Sequence, residues 1–420
     1  MNRTKRLGRL GGLAASAAAA APFAWLWVLQ MRNADDPLTA QARLDMAIWM
    51  AVFGTPWMLA AWLLWRAWWR QAGAQLATLD GPAWLLAAAV ATLPGDLRDW
   101  GTAMTAELTQ IHGRGARWRF AVGCARTTVF PPGGNRAPVG VAGALAVVAI
   151  AATALGAGAA LPAGRVFALT FVGLVGGLAT QAVARSRRVG GAGPGPAVAG
   201  LALAGVAGCL AFTIYYLAEH PFYDGVDLAV AVSLPPVTAM VLAVALAGCL
   251  GLALRPPRWL VGDRLARWFG IAMAIALVGG FLLDSRLVQP GLERGSHGMM
   301  GYLLNGPLLV ILPGSAAAAA VGRSFRSGLW ACAWAVVLAA PLLIAAWLAE
   351  ALRWDQVGRG LVLDGAGPLG VGANLGNAIW WPLTFLVLWA LPLGVLGAAA
   401  GGTWARRRRA REPADVVPAP

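Results

Sequence analysis

The feature that most constrains this chain is a series of ten apolar runs. A transmembrane helix needs about 20 consecutive apolar residues. The runs lie at residues 11–30, 47–66, 138–160, 165–184, 197–217, 228–253, 268–288, 302–322, 329–350 and 379–402. With 59% hydrophobic and only 12% charged residues, the chain has too few polar side chains to cover a water-soluble globule. We therefore predict an all-α polytopic transmembrane helix bundle of about ten spans, and exclude a soluble enzyme, a disordered chain and a disulfide-stapled secreted domain.

The basic residues are distributed unevenly between the predicted loops. With the N-terminus inside the cell, the inside segments carry 26 of the 33 Lys and Arg residues and the outside segments carry 7. Cytoplasmic loops of membrane proteins retain positive charge. Both termini are therefore predicted inside, and the net charge of +15 reflects topology rather than nucleic-acid binding. Abundant Ala, Gly and Pro with a single lysine are typical of a genome rich in G and C, which predicts a bacterial plasma membrane.

This topology divides the chain into four parts. Residues 1–66 form a two-span unit, residues 67–137 a cytoplasmic amphipathic segment, residues 138–405 an eight-span bundle and residues 406–420 a basic, Pro-rich disordered tail. The amphipathic segment is the only long internal loop. It is predicted to contain three helices, at about 84–93, 96–112 and 116–129.

The second and third of these helices each have a patterned face. Spacings of three and four residues place one apolar stripe on the second helix, at Leu97, Trp100, Met104, Leu108 and Ile111. Asp99 lies in its first turn, where the helix dipole favours negative charge. The third helix is predicted to have an apolar side formed by Trp118, Val122, Ala125 and Val129. Arginines lie near this side. A basic helix with an apolar face suits the anionic inner leaflet, which predicts an interfacial helical hairpin.

Docking of a cytoplasmic protein partner is the alternative interpretation of this hairpin. The residues predicted to take part in docking are Trp100, Met104, Leu108, Arg117, Trp118 and Arg119.

A family resemblance rests on the same segment. A Leu93-Pro94 turn is followed by Arg98, by the pair Trp100-Gly101 and by Met104 one turn later. This pattern resembles a helical-hairpin signature of actinobacterial multi-pass membrane proteins of unassigned function. More distantly, it resembles the prefix segment that precedes some permeases and accompanies PadR-type regulator operons. The resemblance covers about 50 of 420 residues and implies a membrane-linked accessory or transport-related role without catalytic residues.

Prolines within the later runs predict interrupted helices, and transporters place their substrates at such interruptions. Proline removes a backbone N–H, so an interrupted helix must line a cavity or find other partners. Interruptions are predicted at Pro235, Pro236, Pro307, Pro313, Pro341, Pro382 and Pro392. The residues predicted to line a substrate path are Gln181, Ser233, Pro235, Pro236, Thr238 and Asn305. Ordinary proline kinks are the alternative.

Several ionisable residues lie at the predicted outer ends of the spans. A charge in hydrocarbon costs at least about 2.5–3.5 kcal/mol, so such residues are candidates for a cation site or a proton relay. These candidates are Glu219, His220, Asp284, His297 and Glu350. The alternative is that these charges lie among the lipid headgroups.

No enzyme motif occurs in the chain, so we predict a non-enzymatic protein with no catalytic residues, metal or cofactor. The predicted role is a permease-like or transport-associated component that contacts the lipid bilayer and anionic inner-leaflet lipids. The alternative is a membrane-anchored regulator or sensor whose helices at 83–130 bind a cytoplasmic partner. A polar cavity at the interrupted helices would favour transport, and a solid apolar bundle would favour regulation.

Overall fold

The computed structural model is helical throughout the residues that it describes. Those residues are 3–32, 40–76, 80–91, 98–129, 171–180, 182–183, 195–219, 235–254, 256, 260, 262–288, 298–356, 382 and 385–411. Helices account for 95% of them and none lies in a strand. The predicted all-α class is thereby confirmed.

Twelve helices are described below in chain order. They are α1 (Arg3–Arg32), α2 (Ala40–Leu76), α3 (Gly81–Ala91), α4 (Arg98–Gln110), α5 (Arg114–Val129), α6 (Phe171–Thr180), α7 (Pro196–Glu219), α8 (Pro235–Leu254), α9 (Arg264–Leu283), α10 (Gly298–Val321), α11 (Phe325–Gln356) and α12 (Leu391–Arg411). Short π-helical segments follow α9 (Asp284–Val288) and precede α12 (Leu386–Ala390).

Within the described ranges, five helices are long and apolar enough to cross a membrane. They cover Pro196–Tyr215, Arg264–Leu287, Gly301–Val321, Phe325–Arg353 and Leu388–Arg409. These helices coincide with the fifth and the seventh to tenth predicted runs and indicate a membrane protein. The run at 138–160 lies outside the described residues. The total of ten spans and the cytoplasmic position of both termini stay predictions.

The chain divides into two compact units. The first consists of residues 1–137 with 257–262, and the second of residues 138–256 with 263–420. In the first unit, α1 and α2 form an antiparallel pair. Gly11 leaves room for Trp65, and the Ser16 hydroxyl donates to the Met58 carbonyl across 2.9 Å.

In the second unit, α9 and α11 lie side by side and run in the same direction. Near their starts, Gly270 has no space for a side chain because Trp334 occupies it. Near their ends, the rings of Phe281 and Trp347 stack with centroids 5.6 Å apart. Both tryptophans are fully buried. Since lipid gives helices little hydrophobic drive to associate, small residues that allow close approach take over that role.

Helices α10 and α12 run in the opposite direction to α9 and α11. The Tyr302 hydroxyl at the start of α10 donates to the Leu277 carbonyl near the end of α9, at 2.6 Å. Gly397 and Gly401 of α12 rest on the backbone of α10 at Leu312 and Ala316. These contacts make α9–α12 a close-packed four-helix group, which we call the bundle.

The prediction of interrupted helices is wrong for three prolines. Helix α10 continues through Pro307 and Pro313, and α11 continues through Pro341. Neighbouring helices that pack against them allow these helices to continue without the backbone hydrogen bonds that proline removes. Shortly before Pro392 the backbone does depart from α-geometry, in the π-helical segment Leu386–Ala390. Helix α12 also continues to Arg411, so the predicted disordered tail does not begin at residue 406. Arginine is a good helix former and is favourable near a helix C-terminus.

Candidate functional site

Helices α3, α4 and α5 enclose a small hydrophobic core of their own, and we call them the three-helix module. Its buried side chains are Leu86, Met104, Leu108 and Ala121, with exposed fractions between 0% and 5%. Trp100 packs against this core and is half-buried. The predicted stripe of α4 is therefore the inner face of the module at Trp100, Met104 and Leu108. Leu97 lies outside the described residues.

Arg117 of α5 joins all three helices of the module. Its Nε and Nη2 atoms donate to the two carboxylate oxygens of Asp80 at 3.0 and 3.1 Å. Its Nη1 atom donates to the carbonyls of Leu108 at 2.7 Å and Ile111 at 3.3 Å, at the end of α4. A bidentate Arg–carboxylate pair is among the stronger polar contacts in proteins. Arg117 is therefore a clamp within the module.

Asp80 has a second role as the N-terminal cap of α3. Its Oδ1 atom accepts from the Ala83 N–H at 3.1 Å, which satisfies one of the unpaired N–H groups of the first turn. The hydrogen bonds from Arg117 hold the pKa of Asp80 below its ordinary value of 3.8. Asp80 was not among the predicted site residues, although an Asp shortly before Pro82 is a recognisable helix-start signal.

The apolar side that the sequence predicts for α5 is not the face that packs inside the module. Ala121 is fully buried against α3, whereas Trp118 and Val122 are 40% and 53% exposed. The small side chain of Ala121 and the polar contacts of Arg117 decide the packing, because they let α5 approach α3 and α4 closely. The larger apolar residues consequently lie outside, and the Trp118 ring covers Gly81 at the start of α3.

Two chemically different surfaces result on the module. The outer face of α5 combines Trp118 and Val122 with exposed arginines, at Arg114, Arg119 and Arg126. We call this set of five residues the α5 surface. The outer face of α4 is polar and includes exposed Asp99 and Glu107. The α4 hydroxyl of Thr105 donates back to its own helix, at Gly101 O, so it is already partnered.

A buried carboxylate forms a second cluster, in the second unit. Glu350 near the end of α11 is 2% exposed. It accepts hydrogen bonds from the Ser285 hydroxyl at 2.9 Å and from Arg353 Nε at 2.8 Å. Arg286 Nε and Nη2 also donate to it, both at 3.4 Å. The π-helical segment Asp284–Val288 presents Ser285 and Arg286 to this carboxylate, and such segments are frequent at functional sites.

The charges of this cluster bear on the predicted cation site. Asp284 and Glu350 lie at the same end of the bundle, together with Arg286 and Arg353. Two arginines balance two carboxylates, and the oxygens of Glu350 are occupied, so the arrangement is that of an ion-pair network. No group of three His, Cys, Asp or Glu residues able to hold a metal occurs in the described part of the chain. The Glu219 side chain, His220 and His297 lie outside that part.

The predicted substrate-path residues do not come together where they are described. Asn305 is exposed on α10, while Pro235, Pro236 and Thr238 lie in the first turn of α8 with side chains outside the described set. Gln181 and Ser233 also lie outside it. An open groove of about 430 Å³ runs between α6, α7 and α8. Apart from Thr180, its lining is apolar, and the Thr180 hydroxyl donates to Gly176 O in its own helix.

Comparisons with known proteins add no relative to this description. The chain matches no protein-family model, no curated protein and no solved structure. The resemblance of the hairpin segment to permease prefix segments therefore stays a prediction.

Proposed function

We propose that this protein is a non-enzymatic, membrane-anchored regulatory component whose three-helix module docks a cytoplasmic protein partner. Its location would be the bacterial plasma membrane, with the module on the cytoplasmic side. The observation that carries the proposal is the division of labour on α5. Arg117 and Ala121 are used inside the module, whereas the α5 surface leaves Trp118, Val122 and three arginines exposed.

This division narrows the set of docking residues. Met104 and Leu108 are 5% and 1% exposed, and the polar atoms of Arg117 bind Asp80 and α4. These residues support the shape of the module rather than contact a partner. Trp100 is half-buried and packs against the same core. Trp118 and Arg119 remain from the predicted set, and tryptophan and arginine are the residue types most enriched among binding hot spots.

The composition of the α5 surface favours a protein over a lipid surface as its partner. A helix that lies in a membrane interface needs a broad apolar face. Here, only Trp118 and Val122 are large apolar residues, and they alternate with arginines and with Gly115 and Gly123. A protein surface with an apolar pocket and carboxylates around it would complement this mixture.

The close packing of the bundle supports an anchoring role. Its interior is filled by large side chains such as Trp334 and Trp347 and by close contacts at glycines. The grooves among the described helices are open and mostly apolar. A permease-like role would instead require a polar path, in which the exposed Asn305 is a predicted member.

Site-specific photocross-linking in native membranes tests the proposal. A photoreactive residue at position 122 of the α5 surface is compared with one at Thr109, which is exposed on α4. We expect a discrete protein adduct from position 122, none from position 109, and loss of the adduct with Arg119→Glu. Adducts to lipid alone at position 122 would contradict the proposal.

A second comparison separates regulation from transport. Trp118→Ala should abolish the cellular function of the gene while the protein remains in the membrane at its normal level. Asn305→Leu should leave that function unchanged, because the proposal assigns no substrate path to α10. The opposite pattern would support the permease-like alternative.

A further inference from the structure

A second basic surface lies far from the α5 surface in the sequence, where α10, α11 and α12 meet at one end of the bundle. A cavity of about 40 Å³ there is lined by Ala320, Arg323, Trp404, Ala405, Arg408 and Arg409. This volume accommodates one small polar group. We propose that this cavity binds the phosphate of an anionic phospholipid headgroup, and we call it the headgroup site.

The backbone at Arg323 is unusual in a way that points to a function. The Ser324 N–H donates to Ala319 O at 3.0 Å and the Arg323 N–H to Ala320 O at 3.2 Å. This is the pattern of a Schellman motif, in which the residue at the position of Arg323 is usually glycine. Arg323 has φ of 50° and is the sole non-glycine residue with positive φ among those described. An arginine kept in a conformation that favours glycine suggests that its side chain is needed there.

Helix α12 supplies the other cationic groups of the site. Arg409 Nη2 donates to the Arg323 carbonyl at 2.9 Å, which ties the end of α12 to this turn. The Arg408 guanidinium lies over the Trp404 ring, 5.5 Å from its centroid. The turn and α12 therefore hold three arginines around one small cavity. Arginine recognises phosphate through several N–H donors in a fixed plane.

Among the described residues, arginines outnumber acidic residues at this end of the bundle. Arg406 and Arg407 extend the basic stretch, and Arg326 lies at the start of α11. Asp263 supplies a carboxylate among the described residues of this end. Its Oδ1 atom accepts from Ala266 N at 2.9 Å and so caps α9. Glu412 and Asp415 follow in the sequence, outside the described residues. A polyanionic or anionic ligand is therefore attracted to this end.

The surroundings of the site identify a lipid rather than free phosphate as the ligand. Trp404 is 54% exposed and Val321 is 63% exposed, directly beside the arginines. Trp404 lies near the end of a helix long enough to span a membrane, Leu388–Arg409. Tryptophan at such a position is typical of the depth of the headgroups. An acyl chain beside Val321 and a phosphate in the cavity would satisfy both parts of this surface, and basic pockets between membrane helices bind anionic headgroups.

Native mass spectrometry of the full chain tests the proposal. The protein in detergent is mixed with equal amounts of phosphatidylglycerol and phosphatidylcholine that carry the same acyl chains. We expect preferential retention of phosphatidylglycerol, which falls about 25-fold in the double variant Arg323→Gln with Arg408→Gln, at about fivefold for each arginine. The matched control is Arg406→Gln with Arg407→Gln, which removes the same charge from the same end without altering the cavity lining. Retention in this control should fall by less than about twofold.

Three outcomes would overturn the proposal. An equal fall in both double variants would indicate diffuse attraction instead of a site. Displacement of phosphatidylglycerol by millimolar inorganic phosphate would indicate a site for free anions. Retention that is equal for the two lipids would indicate no recognition of charge.

Arg323→Gly keeps the test decisive if the double variant does not fold. Glycine accepts positive φ without strain, so this variant should raise the Tm of the lipid-free protein by roughly a few degrees. It should also reduce the additional Tm increase that phosphatidylglycerol produces. A full lipid-induced increase in Arg323→Gly would contradict the role of this arginine.

Discussion

The three-helix module and the bundle are stabilised by different interactions. Charged and polar groups join the helices of the module, where Arg117 connects Asp80 with the carbonyls at the end of α4. Small residues join the helices of the bundle, where Gly270 and Gly397 admit a neighbouring helix. Short helices around a small core depend on capped ends and on polar contacts between them. In lipid, water does not drive helices together, and close van der Waals packing replaces that drive.

Steric crowding between α10 and α12 should cause the largest loss of unfolding free energy among the changes considered. Gly397→Val would place a side chain against the Leu312 carbonyl, so we expect a loss of at least about 3 kcal/mol of unfolding free energy. Thermal unfolding in detergent measures it. Gly279→Val is the control, because Gly279 in α9 has open space around it. Equal losses in both variants would mean that close packing is not what stabilises the bundle.

Removal of the buried carboxylate tests whether the bundle also depends on charge. Glu350→Gln removes one of the two carboxylates that balance Arg286 and Arg353, and we expect a loss of about 2 kcal/mol, reduced by the exposure of both arginines. The same unfolding measurement applies. Glu107→Gln, at an exposed carboxylate of α4, should change stability by less than about 0.5 kcal/mol. An unchanged unfolding free energy in Glu350→Gln would mean that packing, without a contribution from charge, stabilises the bundle.

The clamp of the module is tested by Arg117→Met. This change leaves the Leu108 and Ile111 carbonyls and the Asp80 carboxylate without their shared donor, so we expect the module to lose about 2 kcal/mol. Hydrogen exchange of α3 and α4 amides measures this loss locally. Arg119→Met, an exposed neighbour on α5, serves as the control and should leave exchange nearly unchanged. Unaltered hydrogen exchange in Arg117→Met would show that Arg117 does not stabilise the module.

The smallest expected effect is the pH dependence of the same clamp. The pKa of Asp80 is lowered in the folded module, so the unfolded chain binds a proton at higher pH than the folded one. The contribution of Asp80 is therefore complete well above its ordinary value of 3.8 and is lost as the pH falls below that value. Hydrogen exchange of α3, corrected for intrinsic rates, should show weaker protection in this range. Asp80→Asn should remove this part of the pH dependence, and an unchanged dependence would contradict the assignment.

Local patterns in the sequence predicted much of the fold. The apolar runs anticipated the five long apolar helices, because span length is set by the thickness of hydrocarbon. The spacing on α4 anticipated that Trp100, Met104 and Leu108 share one inner face. Asp99 lies in the first turn of α4, as predicted. In each of these cases, neighbouring residues carry the whole signal.

Contacts between distant residues were missed for a physical reason. Asp80 and Arg117 are 37 positions apart, and Ser285 and Glu350 are 65 apart. The spacing of residues within one helix cannot predict either contact. The face of α5 that packs inside the module was not predicted, because that packing depends on how closely the small residue Ala121 lets α5 approach α3. Arg323 gave no signal either, because glycine is what usually marks such a turn.

The double use of Asp80 has a consequence for how the module is made during translation. Helix α3 is synthesised before Arg117, since 37 residues separate Asp80 from its partner. Until that arginine emerges, the carboxylate at the start of α3 has only its backbone contact. The module therefore reaches its full set of contacts only once Arg117 is available, and chains that stop before residue 117 should be less stable than the complete module.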